Sequence, residues 1–127
     1  PEAVLCAEPV SALSPQGRRS AVWQGCNESQ TSALQAAATR RLTLIQGPPG
    51  TGKTHTAAKL VKLWIEQGLS PVLACADSNI AVDNILGACV SLGLRAVRIG
   101  RPEAVRPELD EHTLESCVRQ ASADREG

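Results

Sequence analysis

The chain has 127 residues, 43% of them hydrophobic, which is enough for one small domain or part of a larger one. Phe and Tyr are absent and only two Trp occur, so any core is built from Ala, Val, Leu and Ile. Thirteen basic residues cancel thirteen acidic ones, so whole-chain charge selects no partner and any charged surface has to be local.

Cys6, Cys26, Cys75, Cys89 and Cys117 make an odd count with no C-x-x-C spacing. That pattern argues against a disulfide framework and a zinc site. Cys75, in an apolar run, and Cys89, on an apolar helix face, read as buried hydrophobes. No apolar run reaches membrane-spanning length and no signal peptide is visible. No membrane association is expected, and the expected location is intracellular, cytoplasmic or nuclear.

In chain order, residues 1–25 show no helical or strand period and are punctuated by Pro9, Pro15 and Gly17. They read as a linker or the tail of a preceding element, with Arg18-Arg19 a solvated basic pair. Asn27-Glu28-Ser29-Gln30 opens a helix that runs to about Arg40, with Leu34, Ala37 and Ala38 inward. Asn27 and Gln30 have capping-box spacing. Gln30 also admits a second reading, since its paired donor and acceptor match the edge of adenine. Both readings stand.

Leu42-Thr43-Leu44-Ile45-Gln46 reads as a short buried strand. Gly47-Pro48-Pro49-Gly50-Thr51-Gly52-Lys53-Thr54 follows and fits G-x-x-x-x-G-K-[ST] at every fixed position. Glycine lets a backbone bend round a phosphate with its N–H groups inward. Lys53 would carry charge to the outer phosphates of ATP, and the Thr54 hydroxyl would hold Mg²⁺. His55 to Gln67 reads as the next helix, with Ala57, Leu60, Val61 and Trp64 on its inner face and Lys59, Lys62 and Glu66 off it. Gly68 is its stop. Strand, glycine loop and helix in this order are the context the motif needs, and its nucleotide site comprises residues 47–55, His55 included, with Gln30.

Pro71-Val72-Leu73-Ala74-Cys75-Ala76 reads as a strand covered on both faces. Asp77, Ser78 and Asn79 are three good N-cap residues before a helix from Ile80 to Leu92, whose face holds Val82, Ile85, Leu86 and Cys89. Gly93 ends it, and Ala96-Val97-Arg98-Ile99 reads as a third strand. Alternating strands and helices imply right-handed crossovers and a parallel sheet, with the phosphate loop and the Asp77–Asn79 turn at strand carboxyl ends. Beyond Gly100, Pro102 and Pro107 break the chain. Glu103, Glu108, Asp110 and Glu111 read as solvated, His112 as a surface residue, and Glu111 to about Ala121 as a short helix.

Three blocks together resemble one family: Asn27-Glu28-Ser29-Gln30, the phosphate loop, and Cys75 to Asn84 with its Ser-Asn-Ile-Ala-Val-Asp core. The family is the superfamily 1 helicases related to the nonsense-mediated-decay RNA helicase and the immunoglobulin mu-binding helicase. Val97 to Pro102 is similar to the family's next strand and loop. The resemblance covers roughly residues 26 to 120. It implies an α/β fold: a P-loop NTPase with a RecA-like parallel sheet and helices on both faces, incomplete in this chain. Residues 26–127 are then the amino-terminal part of a RecA-like helicase domain. It implies MgATP on the phosphate loop, with Lys53 and Thr54 catalytic, and adenine recognition by Gln30. Ser78 and Asn79 would then contact the backbone of single-stranded RNA or DNA. The implied activity is ATP-driven 5′-to-3′ unwinding by a motor whose remainder is a partner of this segment.

Cys26 stands where the family has Leu, and Asp77 where it has Pro. A carboxylate about 4 Å from a strand phosphate is repelled by ~1 kcal/mol in water and ~4 kcal/mol at a partly buried site. Asp77 escapes that cost if it caps the helix and points away. Asp110-Glu111 follows no apolar strand, so the acidic Mg²⁺ motif and the second motor domain are expected outside this segment. Two alternatives share the phosphate loop: an oligomeric AAA-type ATPase, and a non-catalytic nucleotide-binding regulator.

Overall fold

The computed structural model describes residues 13–101 and 104–126. The Cys6 and Pro9 readings, and those on Pro102 and Glu103, lie outside them. The chain divides into two compact units, Pro1–Val72 and Leu73–Gly127.

In the first unit, α1 (Pro15–Arg19) starts on Ser14, whose hydroxyl accepts from the Gly17 N–H, and a 3₁₀ turn follows at Ala21–Trp23. The sequence showed no period here because each element is shorter than two helical turns. Tertiary contacts hold them. Val22 is buried with Ala38 and Leu63, and Trp23 Nε1 donates to the Gly17 carbonyl at 2.8 Å. Arg18 and Arg19 are exposed, as the basic-pair reading expects.

Helix α2 (Glu28–Thr39) begins at Asn27 with the complete capping box and buries Leu34, Ala37 and Ala38, the expected face. Helix α3 (Lys53–Glu66) packs against it, with Leu60 beside Leu34 and Ala37. The stripe that α3 buries is not the one its apolar pattern selects. Thr56, Lys59, Leu60 and Leu63 are buried, whereas Ala57, Val61 and Trp64 are half-buried. Lys59 is therefore inside, against the reading that set it off the face. Its Nζ donates to the Gln24 carbonyl at 2.7 Å and meets Cys26 Sγ at 3.2 Å, so the charge is hydrogen-bonded rather than solvated.

In the second unit, α4 (Asn79–Ser91) buries Asp83, Leu86 and Cys89. A 3₁₀ segment, Pro107–His112, buries Leu109 and leads into α5 (Leu114–Glu126), close to the short helix read from the sequence. Glu108, Asp110 and Glu111 are exposed, and His112 is half-buried with its Nε2 3.5 Å from Glu111 Oε1.

The three segments read as strands form no strand ladder among the described residues. One parallel bridge joins Arg98 to Thr113, with the Arg98 N–H donating to the His112 carbonyl and the Leu114 N–H to the Arg98 carbonyl. Leu42, Leu44 and Leu73 are 79%, 89% and 83% exposed, and Cys75 is exposed too, which corrects its reading as a buried hydrophobe. Cys89 is buried, and burial pushes its thiol pKa up. No described helix is long and apolar enough to cross a membrane.

Candidate functional site

The phosphate-loop residues lie between the segment at residues 42–46 and the first turn of α3. Gly50 and Gly52 have φ of 81° and 80°, a left-handed backbone that side chains disfavour. Gly52 is the N-cap of α3 and supplies no capping side chain. The first N–H groups of the helix are thus left open toward the loop, with the positive end of the helix dipole behind them. Lys53, Thr54 and His55 form that first turn and are exposed.

The loop is held by its own side chains. Lys53 Nζ folds back to donate to the carbonyls of Gly47 at 2.5 Å and Pro48 at 2.9 Å. Thr51 Oγ1 donates to the Pro48 carbonyl at 2.8 Å. A Cβ on Gly47 would stand 2.9 Å from Thr51 Oγ1, so the loop closes tightly at its first glycine.

Gln30 joins this site from α2. Its Oε1 accepts from the Asn27 N–H at 3.1 Å, and its Nε2 donates to the Thr51 carbonyl at 3.2 Å. A Cβ on Gly52 would lie 2.8 Å from Gln30 Nε2, so the third loop glycine also makes room for this amide. An amide carries two N–H groups and two lone pairs, so one of each stays available for a ligand. The cap and the adenine-edge reading are compatible on one side chain.

These features fit a nucleotide triphosphate with its divalent cation: a left-handed glycine turn, an uncapped helix start, an ammonium group resting on carbonyls, and an exposed hydroxyl one residue further on.

The second unit places Ser78 and Asn79 at the start of α4. Ser78 is the N-cap, its hydroxyl accepting from the Ala81 N–H at 3.2 Å. Asp77 is therefore not the cap, and the escape from strand repulsion that a capping role offered it does not operate. Asn79 Oδ1 accepts from Arg98 Nη2 at 3.0 Å.

Behind Asn79 lies a charge cluster to which the sequence reading gave no role. Arg98 Nε donates to Asp83 Oδ1 at 2.7 Å, and both side chains are almost wholly buried. The Arg106 N–H donates to Asp83 Oδ2 at 3.1 Å. Burial alone would push the Asp83 carboxyl up. The Arg98 hydrogen bond, the Arg106 N–H and the two guanidinium charges outweigh it and hold the group below its ordinary range. A signal was available: Asp83 sits three residues before Leu86, on the buried face of α4, where an ionised group needs a partner.

Comparison with known proteins now bears on these sites. A family profile described as an AAA domain matches residues 25–126. The chain belongs to this family, within the superfamily 1 helicases of the nonsense-transcript regulator and SMUBP-2 group. As a member of that family it is a P-loop NTPase. It is 40% identical over 94 residues to DNA polymerase alpha-associated DNA helicase A of Schizosaccharomyces pombe, covering 73% of this chain and 14% of that protein. It is 51% identical over 73 residues to the putative regulator of nonsense transcripts 1 of Takifugu rubripes, covering 58% and 7%. DNA-binding protein SMUBP-2 of Mus musculus is 38% identical over 94 residues, covering 73% and 9%. This AAA-domain chain thus spans 7% to 14% of the length of these relatives.

Proposed function

We propose that this chain is the ATP-binding segment of an ATP-dependent RNA or DNA helicase, a 5′-to-3′ translocase, with residues 26–127 the amino-terminal part of its first RecA-like domain. The observation that carries the proposal is the open start of α3 behind the left-handed Gly52, with Lys53 Nζ resting on the Gly47 and Pro48 carbonyls. Phosphate oxygens compete well for an ammonium group held only by neutral carbonyls. Residues 47–55 wrap the phosphates, Thr54 holds Mg²⁺, Gln30 reads the adenine edge, and Ser78 and Asn79 meet the strand backbone.

A RecA-like sheet is proposed for the complete motor, with these apolar segments as its strands. Leu42 and Leu44 in one unit and Leu73 in the other leave apolar surface exposed, which pairing with strands elsewhere in the protein would cover. The segment up to residue 25 acts as the tail of a preceding element, anchored by Val22. Free cysteines among the described residues suit a reducing compartment, cytoplasmic or nuclear. An oligomeric AAA-type ATPase shares the loop, but the relatives named above include a DNA helicase and a DNA-binding protein.

The test is ATP affinity and strand-stimulated turnover of a complete motor carrying this chain. Lys53→Ala removes a charge-assisted contact of roughly 1.5–3 kcal/mol and is expected to weaken ATP by about 10- to 150-fold. Unchanged affinity and turnover would remove the phosphate-loop assignment. Turnover that single strand does not stimulate would favour a different ATPase.

A further inference from the structure

Asn79 touches Arg98 by its oxygen, and chemistry decides this orientation. A guanidinium has only donors, so the carboxamide must present Oδ1 to it and Nδ2 away from it. Arg98 cannot easily yield. It is 3% exposed, and its Nε is fastened to Asp83, itself 2% exposed, which the Arg106 backbone N–H holds from the other carboxylate oxygen. Asn79, by contrast, is exposed at the start of α4. Next to it, the Ser78 hydroxyl accepts from the Ala81 N–H with one lone pair and keeps its hydrogen to offer an outside group.

We propose that Arg98, locked by Asp83, is a positioning residue for nucleic-acid binding: it holds Asn79 by its oxygen and so aims the Asn79 amino group, beside the Ser78 O–H, at a phosphate of the bound single strand. The proposal rests on the reading of Ser78 and Asn79 as strand contacts and adds the device that makes Asn79 a donor. Two adjacent outward donors suit a partner that only accepts, which a phosphodiester does and a base edge in general does not. The guanidinium also polarises the amide through its oxygen, which strengthens the N–H groups on the far side. Arg98 and Asp83 need not touch the strand themselves. The ammonium of a lysine at position 98 would keep the charge but lose the fork that reaches both Asp83 and Asn79.

The experiment measures binding of labelled single-stranded DNA and RNA oligonucleotides by a complete motor carrying this chain, with ATP affinity read in parallel. Asn79→Ala is expected to weaken both oligonucleotides by about 10- to 150-fold, the loss of one contact to a charged group. Asn79→Asp keeps an oxygen for Arg98 but turns only oxygens outward, and it is expected to bind more weakly than Asn79→Ala. Arg98→Lys is expected to weaken strand binding in the parent and to add nothing in the Asn79→Ala background, with ATP affinity unchanged. A role for Arg98 in folding alone predicts equal losses in both backgrounds and overturns the positioning claim while leaving the strand contact standing. Should Arg98→Lys not fold, Asn79→Asp still decides, because binding as tight as the parent's shows that no donor is needed there. If Asn79→Ala leaves strand binding intact, the strand contact itself fails and the proposal with it.

Discussion

Gln30 Nε2 donates to the Thr51 carbonyl while Gln30 Oε1 closes the capping box on the Asn27 N–H, so one amide ties the start of α2 to the phosphate loop. Cap and base reader are therefore separable by substitution. Gln30→Glu keeps an N3 acceptor for the cap but removes the donor to Thr51. Stability is expected to stay within about 0.5 kcal/mol of the parent, while ATP affinity falls by about fivefold to tenfold. Gln30→Ala loses the cap as well, at about 0.5–1 kcal/mol. Denaturant unfolding beside ATP and GTP titrations reads both effects. Unchanged affinity for both nucleotides in Gln30→Glu would leave only the cap, and equal losses would trace to the Thr51 contact rather than to base reading.

Gly52 tests the same link from the other side. Gly52→Ala forces a Cβ into a left-handed backbone, at about 1–2 kcal/mol, and places it 2.8 Å from Gln30 Nε2. Nucleotide affinity is expected to fall. In a double-mutant cycle with Gln30→Ala, the double variant should lose less than the sum of the two single losses, since the clash disappears with the amide. Strict additivity would show that Gln30 and the loop do not act together.

The start of α4 gives a stability contrast. Ser78→Ala removes the hydroxyl that accepts from the Ala81 N–H and is expected to cost about 1 kcal/mol. Asp77→Ala, at an exposed position outside the cap, should stay within about 0.5 kcal/mol. Thermal unfolding of both variants checks the order, and a reversed order would reassign the cap to Asp77.

Asp83 makes stability pH-dependent in one direction. Its folded pKa lies below the ordinary value of 3.8, so the unfolded chain takes up the proton first as pH falls. The stabilisation is complete above 3.8 and is lost as pH drops through the lower folded value. Asp83→Asn leaves Arg98 buried without its counter-charge. The expected cost is about 3 kcal/mol, the lower end for a broken buried pair because the unit is small. Unfolding free energies of parent and variant should differ by a constant amount from neutral pH down to about 5 and converge below 3.8. A gap that persists unchanged to strongly acid pH would mean that the carboxylate charge does not contribute.

Features that depend on a spacing of three or four residues were legible in the amino-acid sequence. The Asn27–Gln30 box, the glycine loop with Lys53 and Thr54, the inner face of α2 and the stops at Gly68 and Gly93 all belong to this kind. Such features follow from backbone geometry that each short segment carries with it. Tertiary structure alone decided the rest. Lys59 is inside because a carbonyl 35 residues earlier in the chain accepts its hydrogen bond, and Asp83 is inside because an arginine 15 residues later neutralises it. Helical periodicity assigns charged side chains to solvent, since a lone buried charge costs too much, and it cannot register a partner that only folding brings near. The same reason covers the exposed apolar segments at Leu42 and Leu73, because a strand ladder needs a partner segment and none of the described residues supplies one.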